Sequence, residues 1–388
     1  MTSVPPKDRV DALLATAEIL KTPCGAGEMV WQRWAGPIDK PPLVLLHGGF
    51  GSWTHWIANV ERLRRSRTVL TCDMPGLGDS AEAEGALSPD IIAAPIFAGL
   101  DAVLDGAPTF DLAGFSFGGL IGSRVAKMAG DRMRTYVAVG ASGVEGLHVR
   151  VLGIRVPKPE MSDDEKDAIH AKNLEILMLW DTAKIDPLAI YTHRKNVARS
   201  RVRSRPMSLG NHLVDALPDI QARMSGIWGV HDATAGGEDE ILKRRDIFRQ
   251  FQSDAPLHII DDAGHWVMYE TPEVFEAALW VFWMANARAL RQPLVASISS
   301  FPRRRKSIFA MGPRLRGGDV YWLVIPKPQP ADSNVVPLPA ARTAPSAGEW
   351  GRCGSGYRLG RGCDIALQHL RFRSAGTSWC HPVKPSQP

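Results

Sequence analysis

Short runs of unbroken apolar residues set the rhythm of the first half of the chain. Leu43-Val44-Leu45-Leu46, Thr68-Val69-Leu70-Thr71-Cys72-Asp73, Thr109-Phe110-Asp111-Leu112-Ala113 and Thr135 to Gly140 each read as a strand. Met29 to Ala35 alternates loosely and reads as another. A strand that is apolar on both sides is covered on both sides, and helical spacing between such strands predicts a parallel sheet flanked by helices. Residues 88–105 carry such spacing. So do residues 1–22, where Val10, Leu13, Leu14, Ala17 and Leu20 share one side. An N-terminal helix is expected over 1–24, followed by the first part of a core over 25–146.

The rhythm breaks at Leu147. Residues 147–222 are polar, helical in character and rich in Arg and Met, with no strand-like run after about Val156. The sheet pattern returns at Ser225-Gly226-Ile227-Trp228-Gly229-Val230-His231-Asp232 and again at Leu257-His258-Ile259-Ile260, and a closing helix is expected over Pro272–Leu290. An insertion of this length between two core strands predicts a helical cap over 147–222, with the second part of the core over 223–292. Residues 293–388 change character again. From Ala296 onward there are 11 Pro and 10 Gly with no sustained periodicity, a composition too poor in buriable surface to offset ordering entropy. A disordered tail is expected there.

Composition changes this picture in one respect. The 388 residues are 45% hydrophobic and 22% charged, with a net charge of +5. That charge belongs to the tail: residues 296–388 hold 14 Lys and Arg against 4 Asp and Glu, leaving 32 against 37 in residues 1–295. The main body is mildly acidic, so no nucleic-acid partner is expected. Five cysteines without C-x-x-C spacing indicate neither a zinc site nor a disulfide framework. The N-terminus has no apolar stretch of signal-peptide length. The longest apolar run, Ala277 to Ala285, is too short to span a bilayer. A cytoplasmic protein without a membrane partner is expected.

The chemistry concentrates at strand ends. Gly114-Phe115-Ser116-Phe117-Gly118 fits G-x-S-x-G, with a strand before it and a helix after it. A serine on that sharp turn is exposed at the sheet edge, and the flanking glycines let strand and helix approach. A serine hydroxyl needs a base, and the base needs a carboxylate to hold its tautomer. His265 follows the last core strand and Asp232 follows the strand before it. Ser116, Asp232 and His265 therefore have the types, the order and the loop positions of a catalytic triad. Asp261 and Asp262 lie too near His265 in sequence to reach its far ring nitrogen from a turn, and Glu145 is the fallback acid. Two N–H donors are needed for the oxyanion. Phe117 supplies one as the residue after the nucleophile. Gly49 supplies the other from the glycine-rich turn His47-Gly48-Gly49-Phe50-Gly51, with Phe50 next in line.

These motifs, together with Asp73-Met74-Pro75-Gly76-Leu77-Gly78-Asp79-Ser80, resemble in order those of α/β-hydrolase-fold enzymes over residues 25–290. His47-Gly48-Gly49-Phe50-Gly51-Ser52-Trp53 and Gly264-His265-Trp266 also resemble the meta-cleavage-product hydrolases, which cut C–C bonds in dienoate ketones. That resemblance implies a Trp after the catalytic His lining the substrate site, matched by Trp266, and a cap Arg on the substrate carboxylate. Arg194, Arg199, Arg201 and Arg203 are available for the latter, and the same stretch also reads as a solvated helix face. Phe50, Trp53, Phe115, Trp180 and Trp266 are candidate apolar wall residues, each with core packing as its alternative. The expected function is a serine hydrolase of a small, fairly apolar ester or carbonyl substrate, without metal or organic cofactor. C–C bond hydrolysis and ligand binding without turnover are the alternatives.

Overall fold

A computed structural model describes residues 4–289 of the chain, with side chains through Trp283. The expected tail, 293–388, lies outside the described residues. Eight strands form one sheet: β1 (Glu18–Cys24), β2 (Gly27–Trp34), β3 (Leu43–Leu46), β4 (Val69–Cys72), β5 (Phe110–Phe115), β6 (Met133–Val139), β7 (Arg223–Gly229) and β8 (Leu257–Ile260). Their order across the sheet is β1-β2-β4-β3-β5-β6-β7-β8. β1, β2 and β4 pair antiparallel, and from β4 through β8 every neighbour is parallel. The chain moves from β3 to β4 on one side, then returns to β5 on the other. Such a reversal opens a crevice beyond the carboxyl ends of the two inner strands, here β3 and β5.

The apolar runs earn their double burial. Leu43 and Leu45 of β3 pack on one face with Ala113 and Phe115 of β5 and with Val137 and Val139 of β6. Val44 and Leu46 pack on the other with Phe110, Leu112, Tyr136 and Ala138. This is the period-2 alternation of a strand, applied to a sheet with a core on each side. Register then aligns the strand ends: Leu46 is paired with Gly114, Phe115 with Val139, Val139 with Ile227 and Gly229 with Ile260. The segments that follow β3, β5, β7 and β8 consequently leave the sheet along one edge.

The N-terminal helix is shorter than its spacing predicts. It runs Pro6–Leu14, and Glu18–Cys24 is strand β1, paired along its length with β2. Cross-strand partners outweigh the local helical pattern of Ala17 and Leu20. The Trp31 indole N–H donates to the Thr22 hydroxyl, and Lys21 pairs with Glu28 and Arg33 with Glu18. Pro23 sits without cost on this edge strand.

Helices in the segment 147–222 begin later than its left boundary. Residues 151–158 have no regular structure. The first helix, Asp163–Leu177, starts at Ser162, whose hydroxyl accepts from the N–H of Glu165 while the Glu165 carboxylate accepts from the N–H of Ser162. This capping box satisfies two donors that the helix end would otherwise leave unpaired. Helices Pro187–Ala198 and Arg205–Ser208 follow. The closing helix runs Pro272–Ala289.

Candidate active site

Ser116 stands between β5 and helix Phe117–Ala129 with φ 52°. A non-glycine residue in the left-handed region is costly, and such strain is held only where the surroundings dictate it. Here the Ser116 N–H donates to the Val139 carbonyl, and the Ser116 carbonyl accepts from the N–H groups of Gly119 and Ser142. The flanking glycines are required by contact. A Cβ on Gly114 would lie 2.2 Å from the Gly118 carbonyl oxygen, and one on Gly118 would lie 2.3 Å from that of His47.

His265 and Asp232 reach this serine from the ends of β8 and β7. His265 Nε2 lies 3.0 Å from Ser116 Oγ, and His265 Nδ1 lies 2.8 Å from Asp232 Oδ2. The second oxygen of Asp232 accepts both the N–H and the hydroxyl of Thr234, each at 2.8 Å. Burial pushes the Asp232 carboxyl up. The charge of His265 and the donors from His265 and Thr234 outweigh burial and hold it below its usual value. An ionised carboxylate, an imidazole and a hydroxyl in this line can carry a proton from Ser116 to His265 and stabilise the imidazolium that results.

The turn after β3 is built on two buried histidines. His47 Nδ1–H donates to the Gly48 carbonyl at 2.8 Å, and its Nε2 accepts from the Met74 N–H at 2.9 Å. Both ring nitrogens are thus used in the neutral form, and burial lowers the pKa of His47 to about 4. His55 Nδ1 accepts from the Gly48 N–H, and burial holds His55 well below its usual value. The chain then turns through Phe50 at φ 53°. The N–H groups of Gly49, Phe50 and Phe117 take no acceptor among the described residues. A Cβ on Gly49 would lie 2.3 Å from Ser204 Oγ and 3.7 Å from the Cβ of Phe117, so the turn after β3, the turn at Ser116 and the segment 147–222 meet there.

The expected wall residues divide. Phe115 lies behind the imidazole, with its ring centre 4.9 Å from that of His265. Phe50 is 43% exposed beside Gly49. Trp266, which the resemblance makes a lining residue, is instead 1% exposed. Its indole N–H donates to the His55 carbonyl, and its ring stacks on Tyr269 at 4.2 Å. Trp53 is buried against Trp34, 5.4 Å between ring centres. Trp180 is 57% exposed and stacks on His231 at 3.9 Å. Arg194 spends its guanidinium on Asp163 and Asp167 of the neighbouring helix. Of the other arginines of that stretch, Arg199 pairs with Asp79 and Arg201 with Glu82.

Several residues with a part in the geometry escape a reading of the chain. Thr234 stands two positions after Asp232, the spacing at which an Asp side chain bonds the backbone ahead of it, so a signal existed. Glu270 had none. Its buried carboxylate accepts the N–H of Gly264, and those of Trp180 and Asp181, while the Trp266 N–H donates to the Met178 carbonyl. Residues 178–181 are thereby tied to the loop that carries His265. Among the described residues no group of three or more His, Cys, Asp or Glu is arranged to hold a metal ion. No helix among them is long and apolar enough to cross a membrane.

A model of the alpha/beta hydrolase family matches residues 43–278. A 2-hydroxymuconate semialdehyde hydrolase of a Pseudomonas species is 27% identical over 263 residues, 64% of this chain and 88% of that protein. The acetyltransferase component of an acetoin cleaving system from Pseudomonas putida is 36% identical over 114 residues. That match covers 29% of this chain and 30% of that protein. Among solved structures, a naproxen esterase from Bacillus subtilis superposes with a TM-score of 0.56 at 18% identity, covering 72% of this chain and 96% of that one. A meta-cleavage product hydrolase from Pseudomonas fluorescens superposes at 0.55 and 19%, covering 69% and 98%.

Proposed function

The chain belongs to the alpha/beta hydrolase family and is a hydrolase, and from that premise we propose that it is a serine hydrolase of small, fairly apolar ester or carbonyl substrates. Ser116 Oγ attacks the carbonyl carbon while its proton passes to His265 Nε2. Asp232 orients the imidazole and stabilises its charge. The N–H groups of Gly49 and Phe117 receive the oxyanion. His265 then returns the proton to the leaving group, an acyl-enzyme forms on Ser116, and a water activated by His265 releases it. The observation that carries this reading is the line Ser116–His265–Asp232, at 3.0 and 2.8 Å, together with the N–H groups of Gly49 and Phe117, which take no acceptor among the described residues. Residues 147–222 serve as the cap that shapes the pocket.

Ser116→Ala tests it. The variant should lose turnover of a short p-nitrophenyl ester while its circular dichroism stays unchanged, and retained activity would overturn the assignment. Labelling of Ser116 by a fluorophosphonate separates this reading from ligand binding without turnover, because only an activated serine reacts.

A second reading, C–C bond hydrolysis of a vinylogous diketone by the same serine and histidine, is favoured by the match along most of a 2-hydroxymuconate semialdehyde hydrolase. The commitment of Arg194 to two aspartates and of Trp266 to the core weighs against transferring that enzyme class's substrate contacts residue by residue. Comparing a ring-fission product with simple esters discriminates the two.

A further inference from the structure

The candidate triad leaves one polar group at its rim without a task. Ser204 is 4% exposed. It precedes helix Arg205–Ser208, yet its hydroxyl makes no cap hydrogen bond and no other side-chain hydrogen bond among the described residues. Unlike Ser225 Oγ, which is fully buried without a partner among the described residues, this oxygen keeps access to solvent, so it is open to whatever binds beside it. Ser204 Oγ lies 2.3 Å from where a Cβ on Gly49 would stand, and that same point is 3.7 Å from Phe117 Cβ. The hydroxyl therefore borders the two backbone segments whose N–H groups take no acceptor among the described residues.

Its position is anchored from both sides. The Arg201 N–H donates to the Gly76 carbonyl, and the Val202 side chain packs so closely on Gly76 that a Cβ there would lie 2.4 Å from it. Beyond the hydroxyl, the Ser208 N–H donates to the Ser204 carbonyl, the Gly143 N–H to the Ser208 carbonyl, and the Ser142 N–H to the carbonyl of Ser116 itself. Ser142 and Ser208 also meet through their hydroxyls at 3.2 Å. A short run of hydrogen bonds thus fixes Ser204 relative to the nucleophile.

We propose that the Ser204 hydroxyl is a third donor to the oxyanion formed when Ser116 attacks its substrate, supplied by the segment 147–222 rather than by the sheet core. This rests on the serine-hydrolase reading above. A hydroxyl with no protein acceptor can turn its O–H toward an oxygen that gains charge without giving up an existing bond. Donors held at that oxygen act on the transition state more than on the bound substrate. The arrangement also makes the oxyanion site dependent on the position of residues 201–208.

The test is Ser204→Ala, assayed with a p-nitrophenyl ester and with a fluorophosphonate, whose adduct on Ser116 places a P–O oxygen in the oxyanion position. A lost transition-state donor lowers kcat at least about tenfold with KM nearly unchanged. The rate of Ser116 labelling should fall in step, and the melting temperature should hold, because no protein hydrogen bond is removed. A variant that turns over and labels within twofold of the parent protein would overturn the inference while leaving Ser116 as nucleophile. If the parent protein itself fails to label at Ser116, the serine-hydrolase reading fails first and takes this inference with it.

Discussion

Thr234 holds Asp232 by one oxygen and leaves the other to His265. Its N–H and its hydroxyl both donate to Oδ1 at 2.8 Å, and Oδ2 faces the imidazole at the same distance. The carboxylate cannot rotate toward another partner without giving up two donors.

Thr234→Val keeps the N–H and the side-chain shape but removes the hydroxyl. A hydrogen bond to a charged group contributes roughly 1.5–3 kcal/mol, so kcat should fall about tenfold or more. The Asp232 carboxyl is held low in the folded protein. The stability it supplies is present above its unfolded value and lost as pH falls through the folded one. In the variant the folded value moves up toward the ordinary one, so part of that stability disappears at neutral pH and the acid dependence flattens. Urea melts at pH 7 and at acid pH, compared with the parent, measure both.

Glu270 should matter beyond its distance from the chemistry. Glu270→Ala leaves the N–H groups of Gly264, Trp180 and Asp181 without their acceptor. The Gly264 donor is buried, and a buried donor left unpaired costs roughly 1–3 kcal/mol. A destabilisation of about that size is expected from denaturant unfolding, with activity falling further than the folded fraction, since the loop carrying His265 loses its tie to residues 178–181.

Gly118→Ala tests the close approach of the helix start after Ser116 to β3. The added methyl would meet the His47 carbonyl at 2.3 Å and the Leu46 carbonyl at 2.6 Å, both backbone atoms that cannot rotate away. Overpacking of this kind costs typically 1–3 kcal/mol. The helix would also be pushed from β3, so Ser116 labelling should slow in molecules that remain folded.

Two buried groups near the same turn oppose each other in acid. His47 is pushed down to about 4 by burial, so the unfolded chain binds its proton first and stability is lost as pH falls from about 6.5 to 4. Asp73 is pushed up to about 6, again chiefly by burial. The folded protein then binds that proton first, and stability is lost as pH rises from about 4 to 6. Asp73→Asn removes the second effect alone. Its unfolding free energy should fall on acidification by about 1.4 kcal/mol per pH unit more than the parent's in that window. Equal slopes for the two proteins would count against the raised value.

The parallel sheet was legible because its inner strands are covered on both sides. Leu43 to Leu46 could be apolar at every position only if each face met a core, and both cores exist. β1 was not legible. Its residues carry a helical spacing, and only pairing with β2 across a two-residue turn makes them a strand. The same distinction runs through the site. Ser116, Asp232 and His265 could be grouped from the sequence because each follows a strand in a turn of recognisable composition, and the structure brings their side chains into hydrogen-bond contact. Trp53, Trp266 and Arg194 share the residue types of a substrate wall but face Trp34, Tyr269 and two aspartates.

By itself, then, the chain determined which residues could do chemistry and in what order the fold would deliver them, since strand periodicity and turn composition are local and survive in one dimension. Only the tertiary structure decided which side chains face the serine and which turn away. That choice depends on partners tens to hundreds of positions distant, as when Ser204 meets Gly49 or Glu270 meets Asp181. A side chain's type sets what it can donate, but its surroundings decide whether the donor is already spent.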